Sequence, residues 1–161
     1  MGVALTEAEV RRFIAGPYAS IVNVVTLATG SRPAAEDAVQ EALARAWERG
    51  GIDDLDKWVL AVALNLSRSR WRKLGREVPL TETALPAVEA NPHDVDLLRA
   101  LQRLPRRQRE VVVLHYLMDL PVGEIATLTR LSTGGVKHAL FRARRSLAAE
   151  LLPDGPEEVK P

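Results

Sequence analysis

The stretch Val122 to Leu147, VGEIATLTRLSTGGVKHALFRARRSL, holds two helical patterns separated by a short break. Ile125, Ala126 and Leu128 in the first, and Val136, Leu140, Ala143 and Leu147 in the second, recur at the spacing that puts apolar side chains on one face of a helix. Ser132 stands where an N-cap belongs, because its hydroxyl can accept from a free amide of the first turn. The outer face of the second helix carries Lys137, His138, Arg142, Arg144 and Arg145. A short helix, a tight turn and a second helix with a cationic outer face is the layout that places the second helix in the major groove of DNA. Helix diameter and groove width match there, so side chains meet base edges while flanking cations hold phosphates. An ordinary αα-hairpin with a cationic surface is the alternative.

Working outward, the charge is uneven. The chain of 161 residues has a formal net charge of +1, yet residues 99–149 hold 10 basic against 3 acidic side chains. Such a block is the footprint of a polyanion binder, or else a solvated face. An aromatic share of 4% with abundant Ala, Leu and Arg favours helices, since pleated sheets draw on β-branched and aromatic residues. The expected fold class is all-α, with two small helical domains joined by a flexible linker, each with a thin core. The absence of cysteine excludes disulfides, thiolate metal sites and cysteine nucleophiles. Three scattered histidines make no metal box, so neither metal nor cofactor is expected. TEAEVRRF near the start is charged and amphipathic rather than a signal peptide. The longest apolar run, WVLAVALNL, falls far short of the roughly 20 residues of a membrane span. A cytoplasmic protein without membrane insertion is expected.

Thr6 and Glu9 fit a capping box opening a first helix, which Gly16 and Pro17 stop or kink. A second helix is expected from Tyr18. Its SIVNVVTLA is rich in β-branched residues, so a strand competes locally, but the chain offers no partner strand. From Ala34 to Arg49 the positions Ala38, Val39, Ala42, Leu43, Ala46 and Trp47 follow helical spacing until the glycine pair at 50–51. Residues 55–66 form another expected helix. Arg68, Arg70, Arg72, Lys73 and Arg76 follow it, five cations with no acid among them. GREVPLTETALPAVEANPHD then brings three prolines and no periodicity, as a linker does. Beyond it Leu97, Leu98, Leu101 and Leu104 are expected on one helical face before Pro105, with a further helix from Arg106 to Leu117. The tail PDGPEEVKP is expected to be disordered. The expected organisation is thus 1–76, linker 77–94, 95–150 and tail 151–161.

The segment LLRALQRLPRRQREVVVLHYLMDLPVGEIATLTRLSTGGVKHALFRARRSL resembles region 4 of bacterial sigma factors of the extracytoplasmic-function group. The order and spacing of its LP..QREV, EIA and S.G.VK..L.RAR..L elements carry the resemblance. AAEDAVQEALARAW and WVLAVALNLSRSRWRK are similar to region 2 of the same group. The resemblance implies a promoter-specificity subunit with no catalysis of its own, whose partners are core RNA polymerase, promoter DNA and an anti-sigma factor.

By that resemblance Asp37, Gln40, Glu41 and Arg45 form a polar face that docks on a polymerase coiled coil, while Trp47 packs inward. The region-2 match implies reading of the -10 element as melted single strand, whose bases need polar pockets and whose backbone needs cations. Asn65, at the end of one helix, is the candidate base contact. Arg68, Arg70, Arg72, Lys73 and Arg76, on the next, are candidate phosphate contacts, and Trp71 stacks on a base or packs in a core. The region-4 match assigns the -35 element to Ser132, Thr133, Gly135, Lys137, His138, Arg142, Arg144 and Arg145.

This sequence departs from the family in two places, and the start of its recognition helix is rich in glycine. Leu60, Ala61 and Leu64 make the region-2 helix apolar nearly all round, leaving surface for the other domain or an inhibitory partner. Arg130 replaces the usual turn glycine, so either it adopts a left-handed conformation costing on the order of 1 kcal/mol or the turn takes another shape. Gly134 and Gly135 weaken the recognition helix by roughly 1 kcal/mol each. A free-standing helix-turn-helix regulator remains the competing function, though it has no need of the EDAVQEA helix. An enzyme would need convergent catalytic groups that the sequence does not offer.

Overall fold

The computed structural model describes residues 3–74 and 92–152, and every regular element among them is an α-helix. Arg76, most of the expected linker and the tail from 153 onward lie outside the described residues. The chain divides into two compact units, Met1–Ala84 and Leu85–Pro161.

The first unit contains α1 (Glu7–Ala15), α2 (Pro17–Thr29), α3 (Arg32–Arg49) and α4 (Leu55–Leu74). The Thr6–Glu9 capping box forms in both directions, and it holds the Glu9 carboxyl below its usual range through the backbone and then the side-chain hydrogen bond of Thr6. Gly16 separates α1 from α2, with Pro17 in the first turn of the latter. The β-branched run in α2 is helical because its hydroxyls are satisfied within the helix and its side chains are buried. Thr26 Oγ1 donates to the Val22 carbonyl at 2.7 Å and Thr29 Oγ1 to the Val25 carbonyl at 2.6 Å. Ile21, Val22, Val24 and Val25 all lie in the core.

Helix α3 starts at the Ser31 cap and ends at Gly50, whose φ is +61°. A Cβ at Gly50 would stand 3.1 Å from the Val3 carbonyl oxygen, which accepts from the Gly51 amide at 2.8 Å. Both the backbone conformation and the close approach require glycine there.

Helix α4 is one continuous helix of 20 residues, which corrects the expectation of two helices meeting after residue 66. Neither Gly nor Pro interrupts it. Buried Ser67 keeps its hydroxyl on the Ala63 carbonyl of the preceding turn, so the junction carries no reason to break. Leu60 and Leu64 are fully buried, because α4 packs against both α2 and α3. They belong to this unit's own core, which corrects the idea that they offer spare surface; an apolar helix enclosed by neighbours is a core helix.

The second unit contains α5 (Pro92–Arg103), α6 (Arg106–Tyr116), α7 (Val122–Thr129) and α8 (Thr133–Leu151). Helix α8 packs on α5, α6 and α7. Every residue of α6 from Arg109 to Leu114 is buried, with both Arg109 and Glu110 engaged by partners. Ala100, Leu101 and Leu104 of α5 are buried, whereas Leu97 is 41% exposed. The expected four-leucine face is therefore only partly covered, since α8 shields the later turns of α5 and leaves the earlier one open.

Candidate nucleic-acid interface

The turn between α7 and α8 is fixed from three sides. Arg130 takes the left-handed conformation, φ 59° and ψ 27°, so of the two expected outcomes the chain keeps the turn and accepts the strain. Arg107 of α6 donates from Nη1 to the Thr129 carbonyl at 2.9 Å, satisfying one of the acceptors that a helix C-terminus leaves free. Buried Thr129 returns its hydroxyl to the Ile125 carbonyl at 2.7 Å. Ser132 then caps α8, accepting from the Gly135 amide at 3.0 Å. A Cβ at Gly135 would lie 3.2 Å from the Ser132 hydroxyl oxygen, which explains a glycine inside a helix's first turn.

Val136, Ala139, Leu140 and Ala143 form the buried stripe of α8. At about 100° per residue the opposite direction points through His138, Phe141 and Arg145, with Lys137 and Arg144 on one flank and Arg142 on the other. All of these side chains are exposed, as are Ser132 and Thr133, while Gly135 is half-buried. No acidic residue interrupts 133–149, and Glu150 at the far end pairs with Arg103 at 3.3 Å. The cations of α8 thus share one uncompensated face.

Phe141 was not expected in that face. It is 57% exposed, with the Arg145 guanidinium carbon 5.7 Å from its ring centroid. Its position off the Val136–Leu140–Ala143 stripe was the signal in the sequence. An apolar side chain at this place can contact a thymine methyl group in the major groove.

The basic segment of α4 is arranged differently. Asn65, Arg68 and Arg72 lie together on the side away from the buried residues Val59, Leu60, Ala63 and Leu64, and Arg68 donates to Asn65 Oδ1 at 2.8 Å. Arg70 points elsewhere and forms an ion pair with Asp37 of α3 at 3.9 Å. Lys73 is exposed on a third direction, and Trp71 sits at the edge of the core, partly exposed. The four expected phosphate contacts among the described residues, Arg68, Arg70, Arg72 and Lys73, therefore do not form one face.

On α3, Asp37, Gln40, Glu41 and Arg45 are all exposed. All four make contacts within the unit besides those of the helix backbone: Asp37 with Arg70, Gln40 with the Tyr18 hydroxyl at 3.4 Å, and Glu41 with Arg45 at 2.9 Å. Trp47 is 53% exposed and lies on the same side as Gln40, two turns later. This corrects the inward placement of Trp47. The small stripe of Ala35, Ala42 and Ala46 is what packs inward, and a residue one step past Ala46 turns away from it.

Fold and site together define a two-unit helical protein with a helix-turn-helix in its second unit, and comparison with known proteins places it further. The family profile described as "Sigma-70, region 4" matches residues 94–147. The ECF RNA polymerase sigma factor EcfG of Rhodopseudomonas palustris is 32% identical over 146 residues, covering 83% of this chain and 80% of the relative. The ECF RNA polymerase sigma factor SigM of Bacillus subtilis is 31% identical over 133 residues, covering 75% and 82%. Among solved structures, the sigma factor RpoE of Bartonella quintana in complex with the anti-sigma factor NepR shares the fold with a TM-score of 0.73, at 22% identity over 92% of this chain and 98% of that one. The chain belongs to the ECF RNA polymerase sigma factors.

Proposed function

We propose that the two units divide promoter recognition, with 95–150 reading the -35 element as duplex and 1–76 docking on core polymerase and reading the -10 element as single strand. The acid-free cationic face of α8, set behind a capped and braced turn, is the observation that carries this reading. Lys137, His138, Phe141, Arg142 and Arg145 meet base edges and phosphates; Ser132, Thr133 and Gly135 bring the start of α8 close to the backbone. In the first unit Asn65 reads a base beside Arg68 and Arg72, and the outer side of α3 meets the polymerase. Trp47 supplies the aromatic anchor that such interfaces draw on, with Gln40 and Asp37 on its side of α3 and Glu41 and Arg45 on the farther flank of the outer surface.

The chain acts as a binding subunit without a catalytic step of its own, in the cytoplasm where the polymerase works. The sigma factor RpoE, of this fold, has been solved with the anti-sigma factor NepR bound, and CnrH, of the same fold, with the cytosolic domain of CnrY, which supports an anti-sigma factor as a third partner. Membership of the sigma family favours this reading over a free-standing regulator, and no helix among the described residues is long and apolar enough to cross a membrane.

Gel filtration of the chain with core polymerase, with and without promoter DNA, tests the reading. Co-elution in both arms supports it. A chain that binds promoter duplex tightly alone and ignores core polymerase overturns it. Trp47→Ala is expected to weaken core association by about 2 kcal/mol, roughly thirtyfold, and Asp37→Ala with Gln40→Ala by less.

A further inference from the structure

Tyr116 is the last residue of α6, and its ring is 55% exposed beside the recognition helix. Arg144 Nε donates to the Tyr116 hydroxyl oxygen at 2.6 Å, and the guanidinium carbon lies 5.6 Å from the ring centroid. The ring is braced from behind. His115 meets it edge-on at 4.8 Å between centroids, and His115 Nδ1 lies 3.1 Å from the Leu120 carbonyl oxygen. We propose that Tyr116 is a positioning residue for Arg144, holding its guanidinium ready for a backbone phosphate on the flank of α8; the inference rests on the -35 reading of that helix.

The chemistry of the partner carries the inference. Some ordered arginines of the chain are held by carboxylates, as Arg70 is by Asp37 and Arg103 by Glu150, and a carboxylate cancels the charge it orders. Tyr116 orders Arg144 with a neutral hydroxyl and a ring face, so the full positive charge remains. Only Nε is used. The four Nη hydrogens, which form the fork that fits phosphate, have no other partner among the described residues. Arg144 shares its flank with Lys137, two turns or about 10 Å away, so the two cations line one side of the helix. A long side chain ordered before binding loses less freedom when it binds.

The test uses full-length chain assembled with core polymerase and a promoter duplex recovered from a randomised library by the unmodified holoenzyme, with affinity measured across a salt series. Arg144→Ala is expected to weaken binding about tenfold and to make the salt slope shallower by about one phosphate. Tyr116→Phe keeps the ring and the charge, and is expected to weaken binding about threefold with the slope unchanged. Arg144→Lys, which lacks Nε, should resemble Tyr116→Phe in affinity. In the Arg144→Ala background, Tyr116→Phe should have no further effect. Equal losses from Tyr116→Phe with and without Arg144 overturn the proposal, as does unchanged or tighter binding by Tyr116→Phe alone. Recovery of no -35 sequence by the unmodified holoenzyme overturns the reading of α8 itself, a different outcome from a recovered element that the Tyr116 variants bind normally.

Discussion

The basic segments of α4 and α8 look alike in sequence and differ in space. In α8 the cations fall on one outer face, with Phe141 among them and no acidic residue between 133 and 149. In α4 they point in several directions, one tied to Asp37 and one to Asn65. Density of positive charge along a chain therefore does not make a binding face; helical phase and the neighbours of each cation do. The difference suits two forms of DNA. A duplex presents a rigid groove to one helix face, whereas a melted strand can bend around scattered contacts.

The largest effect that sharpens this contrast comes from paired substitutions. Lys137→Ala with Arg142→Ala on α8 is expected to weaken -35-dependent holoenzyme binding by about 2–4 kcal/mol, with a salt slope shallower by about two. Arg70→Ala with Lys73→Ala on α4 is expected to cost no more than about 1 kcal/mol, because Arg70 already spends part of its interaction on an exposed ion pair. Filter binding over a range of salt compares the two, and equal losses break the contrast.

A smaller effect concerns the turn that sets the angle of α8, a feature α4 lacks. Arg130→Gly removes the left-handed strain and is expected to stabilise the second unit by about 0.5–1 kcal/mol. Denaturant unfolding reads it, and destabilisation would mean that the Arg130 side chain stabilises the turn by more than its backbone costs.

The smallest effect is pH-dependent and belongs to the first unit. The Glu9 carboxyl, held low by Thr6, contributes helix-end stability that is fully present above the ordinary carboxylate range and is lost as pH falls through its lowered value. Protection of the α1 amides, taken relative to their intrinsic exchange rates at each pH, should therefore fall at acid pH in the unmodified chain, and Glu9→Gln should flatten that fall. An identical fall in both proteins contradicts the assignment.

Much of the fold was legible because it rests on local signals. Thr6 with Glu9, Gly16 with Pro17, the glycine pair after Arg49 and Ser132 each act within one turn, so the residues alone place the helix ends. Phase across elements was less legible. Trp47 follows the spacing of Leu43, yet Ala42 and Ala46 define the buried side of α3. Leu60 and Leu64 read as surplus apolar residues until α2 and α3 are seen on either side of α4. Asp119 is left-handed with φ 52°, in a turn where no sequence signal pointed. The Tyr116–Arg144 pair joins residues of two helices 28 positions apart, and no periodicity within either helix encodes such a contact.

The division of labour between the units is tested most directly by run-off transcription with holoenzyme on templates varied one base at a time across both promoter elements. Asn65→Ala is expected to relax selectivity at one -10 position by about 1–3 kcal/mol and leave the -35 profile intact, while Lys137→Ala alters only the -35 profile. A shift confined to the -35 element for Asn65→Ala, or to the -10 element for Lys137→Ala, contradicts the assignment of the two units.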